Sequence, residues 1–297
     1  MQEVPCNLCA SVRSRVRWVS FGGRRVDNPA YFAATTDKFG DYGTIRECRD
    51  CGLVYTSPRP SSAALLAGYE GNEDPDYARE SDARCMNAYL SLAVLRRHLP
   101  TGRLLEVGCA NGYFLNAART SYEVVGVEPS RWARDHARKR LGIDIADATL
   151  EEARFADASF DVVAFIDVIE HVPDPLGMLR EAARIVRPGG IVYLVTPDVE
   201  SVSARVLGGR WWGLRPAHIY YFSRASMTRM LEKAGFHVEY ARSYGRIFSW
   251  GYWLSRLSNY PRPIRAAIGA IVRALGIEDK FLYLDTRDSM QIIARRA

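Results

Sequence analysis

From residue 103 onward, short apolar runs alternate with stretches whose apolar positions recur at helical spacing. Period-two or fully apolar runs predict strands near 103–108, 122–127, 143–145, 161–166, 190–195, 236–242 and 288–295. Helical spacing predicts helices near 112–119, 130–140, 174–186 and 224–234. That alternation describes an α/β fold built on a doubly wound, Rossmann-like sheet. Upstream, Cys51–Tyr55 reads as a short strand and Pro58-Arg59-Pro60-Ser61 as a turn into a helix over 63–69. Residues 71–80 read as an acidic loop. Cys85, Met86, Tyr89, Leu92, Ala93, Leu95 and Leu99 then define an amphipathic helix placed to cover a ligand pocket.

The segment 247–284 departs from this alternation. Ile247–Leu254 is aromatic, and after Pro261-Arg262-Pro263 the residues Ile264, Ala267, Ile268, Ile271, Val272 and Leu275 recur at helical spacing, with Arg265 and Arg273 between them. Two readings fit: a helix packed over the acceptor site, which we prefer, or an interfacial helix making peripheral membrane contact through 247–275.

With 297 residues, 48% of them hydrophobic, the chain can bury a sizeable core. No stretch resembles a membrane span, and Met1-Gln2-Glu3-Val4-Pro5 lacks the basic start and apolar run of a secretory signal, so a cytoplasmic, reducing location is expected. Charge is segregated. Residues 61–200 carry 15 Lys and Arg against 22 Asp and Glu, whereas 201–297 carry 16 against 6. The basic part could meet a phosphorylated substrate, an anionic membrane or nucleic acid, or be an ordinary solvated surface.

Chemistry enters at Leu104-Leu105-Glu106-Val107-Gly108-Cys109-Ala110-Asn111-Gly112, followed 22 residues after Glu106 by Glu128 at the end of the next apolar run. Strand, glycine-rich turn, helix and acid-terminated strand together grip adenosine-containing ligands. The glycines stand as G-x-A-x-G, not the G-x-G-x-x-G that lets backbone approach a pyrophosphate. Glu106 would repel a phosphate and favour an ammonium or sulfonium, while the two oxygens of Glu128 suit vicinal ribose hydroxyls. S-adenosylmethionine meets every one of these demands.

These motifs, with Phe160-Asp161-Val162-Val163-Ala164-Phe165-Ile166-Asp167-Val168-Ile169-Glu170-His171-Val172 and Arg187-Pro188-Gly189-Gly190 leading into Ile191–Pro197, make residues 103–240 resemble class I S-adenosylmethionine-dependent methyltransferases. The resemblance implies a seven-stranded sheet whose final strand lies antiparallel beside the fifth. It places Glu106 near the donor's amino group, the loop Gly108, Cys109, Ala110 and Gly112 against its methionine part, and Glu128 with Pro129 at the ribose. Asp147 and Ala148 fall at the adenine, with Ile166 and Asp167 at the sheet's carboxyl edge. Ala110 replaces a common glycine, and a slightly tighter turn is expected. Asp167 could accept from the donor's amino group or cap a helix, and Cys109 reads as a packing residue.

Methyl transfer to an oxygen or carbon needs alignment and removal of a proton. His171 and His218 should face the same crevice and are the candidates, with a structural histidine bonded to a backbone carbonyl as the competing reading for each. Trp211-Trp212-Gly213 and Tyr220-Tyr221-Phe222 flank His218 as a candidate aromatic acceptor wall, core being the alternative. The absence of Asn-Pro-Pro-Tyr and Asp-Pro-Pro-Tyr argues against methylation of a base nitrogen.

Cys6, Cys9, Cys48 and Cys51 form two CxxC pairs with 38 residues between them, a set suited to one structural, non-catalytic zinc ion. Three regions follow: a zinc-ribbon-like element (1–60), a helical cap (61–102), and a methyltransferase domain (103–297) with a helical insertion at 247–284. The expected function is methylation of a small acceptor such as a sugar, polysaccharide precursor or secondary metabolite. Methylation of RNA, or a non-catalytic docking role for the ribbon, are the alternatives.

Overall fold

The computed structural model describes residues 1–20, 32–33, 42–257 and 262–297. The chain begins with β1 (Ser14–Val19), β2 (Thr44–Cys48) and β3 (Val54–Thr56), then α1 (Ser62–Glu70), α2 (Pro75–Arg79) and α3 (Ser81–His98). Next come β4 (Gly102–Val107), α4 (Tyr113–Ala118), β5 (Tyr122–Val127), α5 (Arg131–Leu141), β6 (Phe160–Ile166), α6 (Pro175–Ile185), β7 (Val186–Pro197) and α7 (Val202–Leu207). The last third holds β8 (Tyr220–Tyr221), α8 (Arg224–Ala234), β9 (Phe236–Ser243), β10 (Arg246–Ser249), α9 (Trp250–Ser255), α10 (Arg262–Ala274), β11 (Phe281–Leu284) and β12 (Ser289–Arg296).

The central sheet runs β5-β4-β6-β7-β12-β9. Its first four strands are parallel, and β12 is antiparallel to both β7 and β9, so the final strand lies beside β7, the fifth of the expected strands, as the family pattern implies. Side-chain alternation sorts the strands onto two cores. Leu105, Val107, Val163, Phe165, Val192 and Leu194 pack on one face with α6 and α8. Leu104, Val162, Ala164, Ile191, Tyr193 and Val195 pack on the other with α3 and α4.

Three expectations are corrected. The strand near 143–145 is a single parallel bridge from Ala146 to Val127, leaving six strands in this sheet among the described residues. Ile143 and Ile145 are buried as a strand pattern demands, but the backbone pairs only through Ala146 with Gly126 and Glu128 before it turns away. Residues 71–80 are not all loop: Asp74 accepts from the Tyr77 amide and Pro75 opens α2, an N-terminal signal that acidity hid. The insertion at 247–284 is not purely helical, because β10 and β11 pair antiparallel and enclose α9 and α10 between them. Pro261 and half of the segment between the two CxxC pairs lie outside the described residues.

The amino-terminal sheet is continued by the core: β1-β2-β3 is completed by β8, with Val54 opposite Tyr221 and Tyr55 opposite Tyr220. Cys6, Cys48, Leu53 and Tyr55 share one buried cluster with Leu65, Ile219 and Leu176. Asn7 binds the Leu176 amide and Asp174, and the Lys233 ammonium donates to the Leu8 carbonyl. Among the described residues no helix is long and apolar enough to cross a membrane.

Candidate active site

A cavity of about 1010 Å³ opens along the carboxyl ends of the parallel strands, where ligands sit in open α/β sheets. At one end the β4 turn is held close. Gly108 has φ +64°, and a Cβ there would lie 2.7 Å from Val168 Cγ2, so the position requires glycine. Ala110, also left-handed at φ +45°, keeps that strained conformation because its amide donates to Glu128 Oε2 at 2.9 Å. The Ser130 amide donates to Glu128 Oε1 at 2.8 Å. Burial raises the Glu128 carboxyl against these two amides and Arg134, which lower it.

Glu106 is buried in the same wall, and its Oε2 has no hydrogen-bond partner among the described residues. Burial pushes its carboxyl well above the usual range, and Glu128 adds to the rise. An unsatisfied buried acceptor facing a cavity is what a cationic ligand would complete. Cys109 is buried: a Cβ on Gly126 would stand 2.8 Å from its sulfur, so it packs as a small apolar group. Pro129, Ala148 and Ile166 line the cavity, whereas Gly112 turns the chain into α4 and the exposed Asp147 carboxylate pairs with Arg134 Nη2 at 2.6 Å.

The other end is built from the β6 and β8 approaches. Asp167, at φ +56°, neither caps a helix nor stands open: Arg246 grips it with Nη1 and Nη2 at 2.9 and 2.6 Å. Burial would raise this carboxyl, but Arg246 and Arg84 bring it below its ordinary value. His171 and His218 meet edge to face, their ring centres 4.7 Å apart. His218 Nδ1 lies 2.8 Å from the Gly213 carbonyl, which can only accept, so Nδ1 carries the hydrogen and Nε2 keeps its lone pair. His171 Nδ1 lies 2.6 Å from the Tyr69 hydroxyl and 3.2 Å from the Ala217 carbonyl. Burial lowers His171 to about 4 and His218 well below its ordinary value, so both imidazoles are neutral. Glu170 accepts from Thr196 Oγ1 at 3.0 Å, and burial with Asp167 nearby raises it to about 8, so it is protonated at neutral pH.

The expected aromatic wall is largely core. Trp211, Tyr220, Tyr221 and Phe222 are buried, because β8 is spent pairing with β3, and only Trp212 of that group reaches the cavity. Phe248, Trp250, Tyr252 and Trp253 supply the wall instead. Sequence reading also missed Arg84, Arg215, Arg246 and Arg256, all of which line the cavity. One signal existed for Arg84: it sits beside Ala83, Asn87, Ala88 and Ser91 on the inward, small-residue face of α3.

Away from the cavity, the sulfurs of Cys6, Cys9, Cys48 and Cys51 all lie within 4.8 Å of one another. Cys6 and Cys51 approach to 3.4 Å and Cys9 and Cys48 to 3.6 Å. Zinc–thiolate bonds of about 2.3 Å imply tetrahedral sulfur–sulfur edges of roughly 3.8 Å, so the four thiols fit that ion.

A family model described as a methyltransferase domain matches residues 77–241. A protein of Mycolicibacterium smegmatis named a probable S-adenosylmethionine-dependent methyltransferase is 37% identical over 145 residues, 48% of this chain and 55% of its own length. A ubiquinone biosynthesis O-methyltransferase of Cereibacter sphaeroides is 30% identical over 169 residues, 52% of this chain and 68% of that protein. The chain thus spans about half the length of the mycobacterial relative. Among solved structures, the complex of the Haloferax volcanii Trm112 methyltransferase activator with a methyltransferase matches at TM-score 0.53 and 20% identity, covering 80% of this chain and 99% of that one. A methyltransferase of Thermotoga maritima matches at 0.51 and 24%, covering 75% and 95%. Both show likeness of fold.

Proposed function

The chain belongs to the S-adenosylmethionine-dependent methyltransferases, and from that premise we propose that it methylates an oxygen or carbon of a small acceptor seated against His218. The observation that carries this reading is the tautomer of His218. Its Nδ1–H is committed to the Gly213 carbonyl, which leaves Nε2 as a neutral lone pair at the cavity. Bound S-adenosylmethionine would supply an electrophilic methyl on a sulfonium. Glu106 would hold the donor's ammonium, Glu128 its ribose and the Gly108–Ala110 turn its methionine part, while Pro129, Ala148 and Ile166 wall the pocket. His218 would take the acceptor's proton, with His171 packed against it to fix its orientation.

Sugars, polysaccharide precursors and secondary metabolites are the acceptors we favour, and the O-methyltransferase name of the Cereibacter relative supports oxygen chemistry. The basic character of the carboxyl-terminal part is partly internal, since Arg215, Arg246 and Arg256 line the cavity, and this weakens a nucleic-acid role. In α10, Ile268 lines the cavity and Val272 is buried, which supports a cap over the acceptor. Ile271 and Leu275 remain exposed and are the residues a peripheral membrane contact would use. Cys6, Cys9, Cys48 and Cys51 would hold zinc as a structural ion, four ligands leaving no open position.

Extract fractions incubated with methyl-labelled donor, with the label then located by mass spectrometry, would identify the acceptor. On that acceptor His218→Ala should lower kcat by about 10²- to 10⁴-fold. Intact turnover across pH would remove His218 from the reaction.

A further inference from the structure

Three potential ligand atoms converge where the β6 and β8 approaches meet. Glu170 and His171 follow β6, and His218 stands two residues before β8. Backbone fixes the two segments to one another, because the Ile219 and Tyr220 amides both donate to the Glu170 carbonyl, at 3.0 and 3.1 Å. One ligand atom from each of the three side chains lies within 4.8 Å of the other two, and all three residues line the cavity.

Each side chain is already held from behind. The Gly213 and Ala217 carbonyls lie 2.8 and 3.2 Å from Nδ1 of His218 and His171. A carbonyl can only accept, so both rings carry their hydrogen on Nδ1 and leave Nε2 as a lone pair. The Tyr69 hydroxyl, 2.6 Å from His171 Nδ1, can accept there while donating to the Ala217 carbonyl at 3.4 Å. Thr196 Oγ1 occupies Glu170 Oε2 at 3.0 Å. Glu170 Oε1 is what remains: the residue is 1% exposed, and this oxygen has no hydrogen-bond partner among the described residues. It stands 4.0 Å from His171 Nε2, too far for a hydrogen bond. Two nitrogen lone pairs and a carboxyl oxygen thus approach one point. Carbonyl and hydroxyl partners on the far atoms are how proteins orient histidine and carboxylate ligands around a metal ion. Asp167, the other anion at this corner, is taken by Arg246, so Glu170 brings the negative charge.

We infer that Glu170, His171 and His218 form a second metal site, for a divalent transition-metal ion that favours imidazole nitrogen, such as Zn²⁺, Co²⁺ or Ni²⁺. Metal–nitrogen and metal–oxygen bonds of about 2.1 Å put the ligand atoms of a tetrahedral ion roughly 3.4 Å apart, so the Glu170–His171 edge closes by about 0.6 Å on binding. Three protein ligands leave the fourth position open to the cavity. The ion takes the place of the carboxyl proton, which leaves to solvent, and nothing is oxidised or reduced. If His218 is the base, as proposed above, an ion on its Nε2 holds the lone pair that the acceptor's proton needs. The loaded site is then an off state of the enzyme.

The test is calorimetry on the full chain, its cysteine site preloaded with zinc, titrated with Co²⁺ and separately with Mg²⁺. One further equivalent of Co²⁺ is expected with Kd below about 100 μM, and Mg²⁺, which prefers oxygen ligands, should bind at least about tenfold more weakly. The bound Co²⁺ should show no thiolate charge-transfer absorption, which separates this site from exchange at the cysteines. Glu170→Gln and His171→Gln should each weaken Co²⁺ about tenfold or more. On the acceptor found by labelling, saturating Co²⁺ should lower turnover at least about tenfold. The site is overturned if wild-type protein takes up no Co²⁺ beyond the cysteines, if both variants bind it undiminished, or if Mg²⁺ binds as tightly. Turnover unchanged or raised by the bound ion would overturn the off state. None of these results touches the methyltransferase reading, which fails separately if S-adenosylhomocysteine does not bind the same samples. The wild-type titrations decide the matter even if the variants fold poorly.

Discussion

Replacing Glu128 by Ala removes the group on which the donor pocket turns. In the ligand-free molecule its two oxygens already accept from the Ala110 and Ser130 amides at 2.9 and 2.8 Å, so the carboxylate shapes the turn in addition to the ribose contact proposed for it. Two hydrogen bonds from ribose hydroxyls to a charged acceptor contribute about 1.5 kcal/mol each. Their joint loss of about 3 kcal/mol weakens S-adenosylhomocysteine roughly 150-fold. The two orphaned amides add a stability loss of about 1–2 kcal/mol. For a chain of this size that lowers the melting temperature by about 2–8 °C. Calorimetric titration and thermal unfolding read the two effects separately. Glu123→Ala serves as control, because Glu123 lies on β5 but is exposed, paired with Arg103. Donor-product affinity within about threefold of wild type in Glu128→Ala, with the fold intact, would refute the ribose assignment.

Three further outcomes are expected. Cys48→Ser should release the metal and lower the melting temperature, and purified wild-type protein with no zinc by elemental analysis would end the zinc proposal. His171 is held near 4 by burial while an unfolded histidine titrates near 6.5, so the unfolded chain takes the proton first as pH falls. Stability is therefore full above about 6.5 and declines towards pH 4, by up to about 3 kcal/mol from this group; denaturant unfolding should show His171→Gln flattening the decline, and identical wild-type and variant profiles would count against it. Glu106, raised by burial, should ionise when a cationic ligand arrives, so donor binding should release a proton and tighten with rising pH. Calorimetry in buffers of different ionisation heat measures that proton, which Glu106→Gln should abolish; none released by the wild-type protein means the carboxyl is already ionised.

The end of the cavity proposed for the donor was legible because its geometry is local. Glu106, Gly108 and Glu128 belong to one strand–turn–helix–strand unit, and each position is fixed by backbone geometry that neighbouring residues announce. Likewise Ser223 and Gly235 delimit α8 as cap and stop, and the helix expected over 224–234 forms there. The acceptor half was not, because it depends on contacts between distant segments. Arginines ordinarily read as surface, and beyond the small-residue face around Arg84 no local pattern reveals that Arg84 and Arg256 meet over Tyr252. The aromatic run at 220–222 failed for the opposite reason: its composition suited a binding wall, but strand pairing with Val54 and Tyr55 used it up. Ile143 and Ile145 alternate like a strand, and only tertiary packing shows that the pairing stops at Ala146.

The pairing of β3 with β8 also ties the cysteine cluster to the segment that carries His218. Thr56 donates twice across this seam, its amide to the Ile219 carbonyl and its hydroxyl, at 3.4 Å, to the carbonyl of His218 itself. Chelation that loosens the thiol knot would slacken the strand presenting His218 while leaving the remote β4 turn undisturbed. Metal loss should therefore be felt in turnover before it is felt in donor affinity.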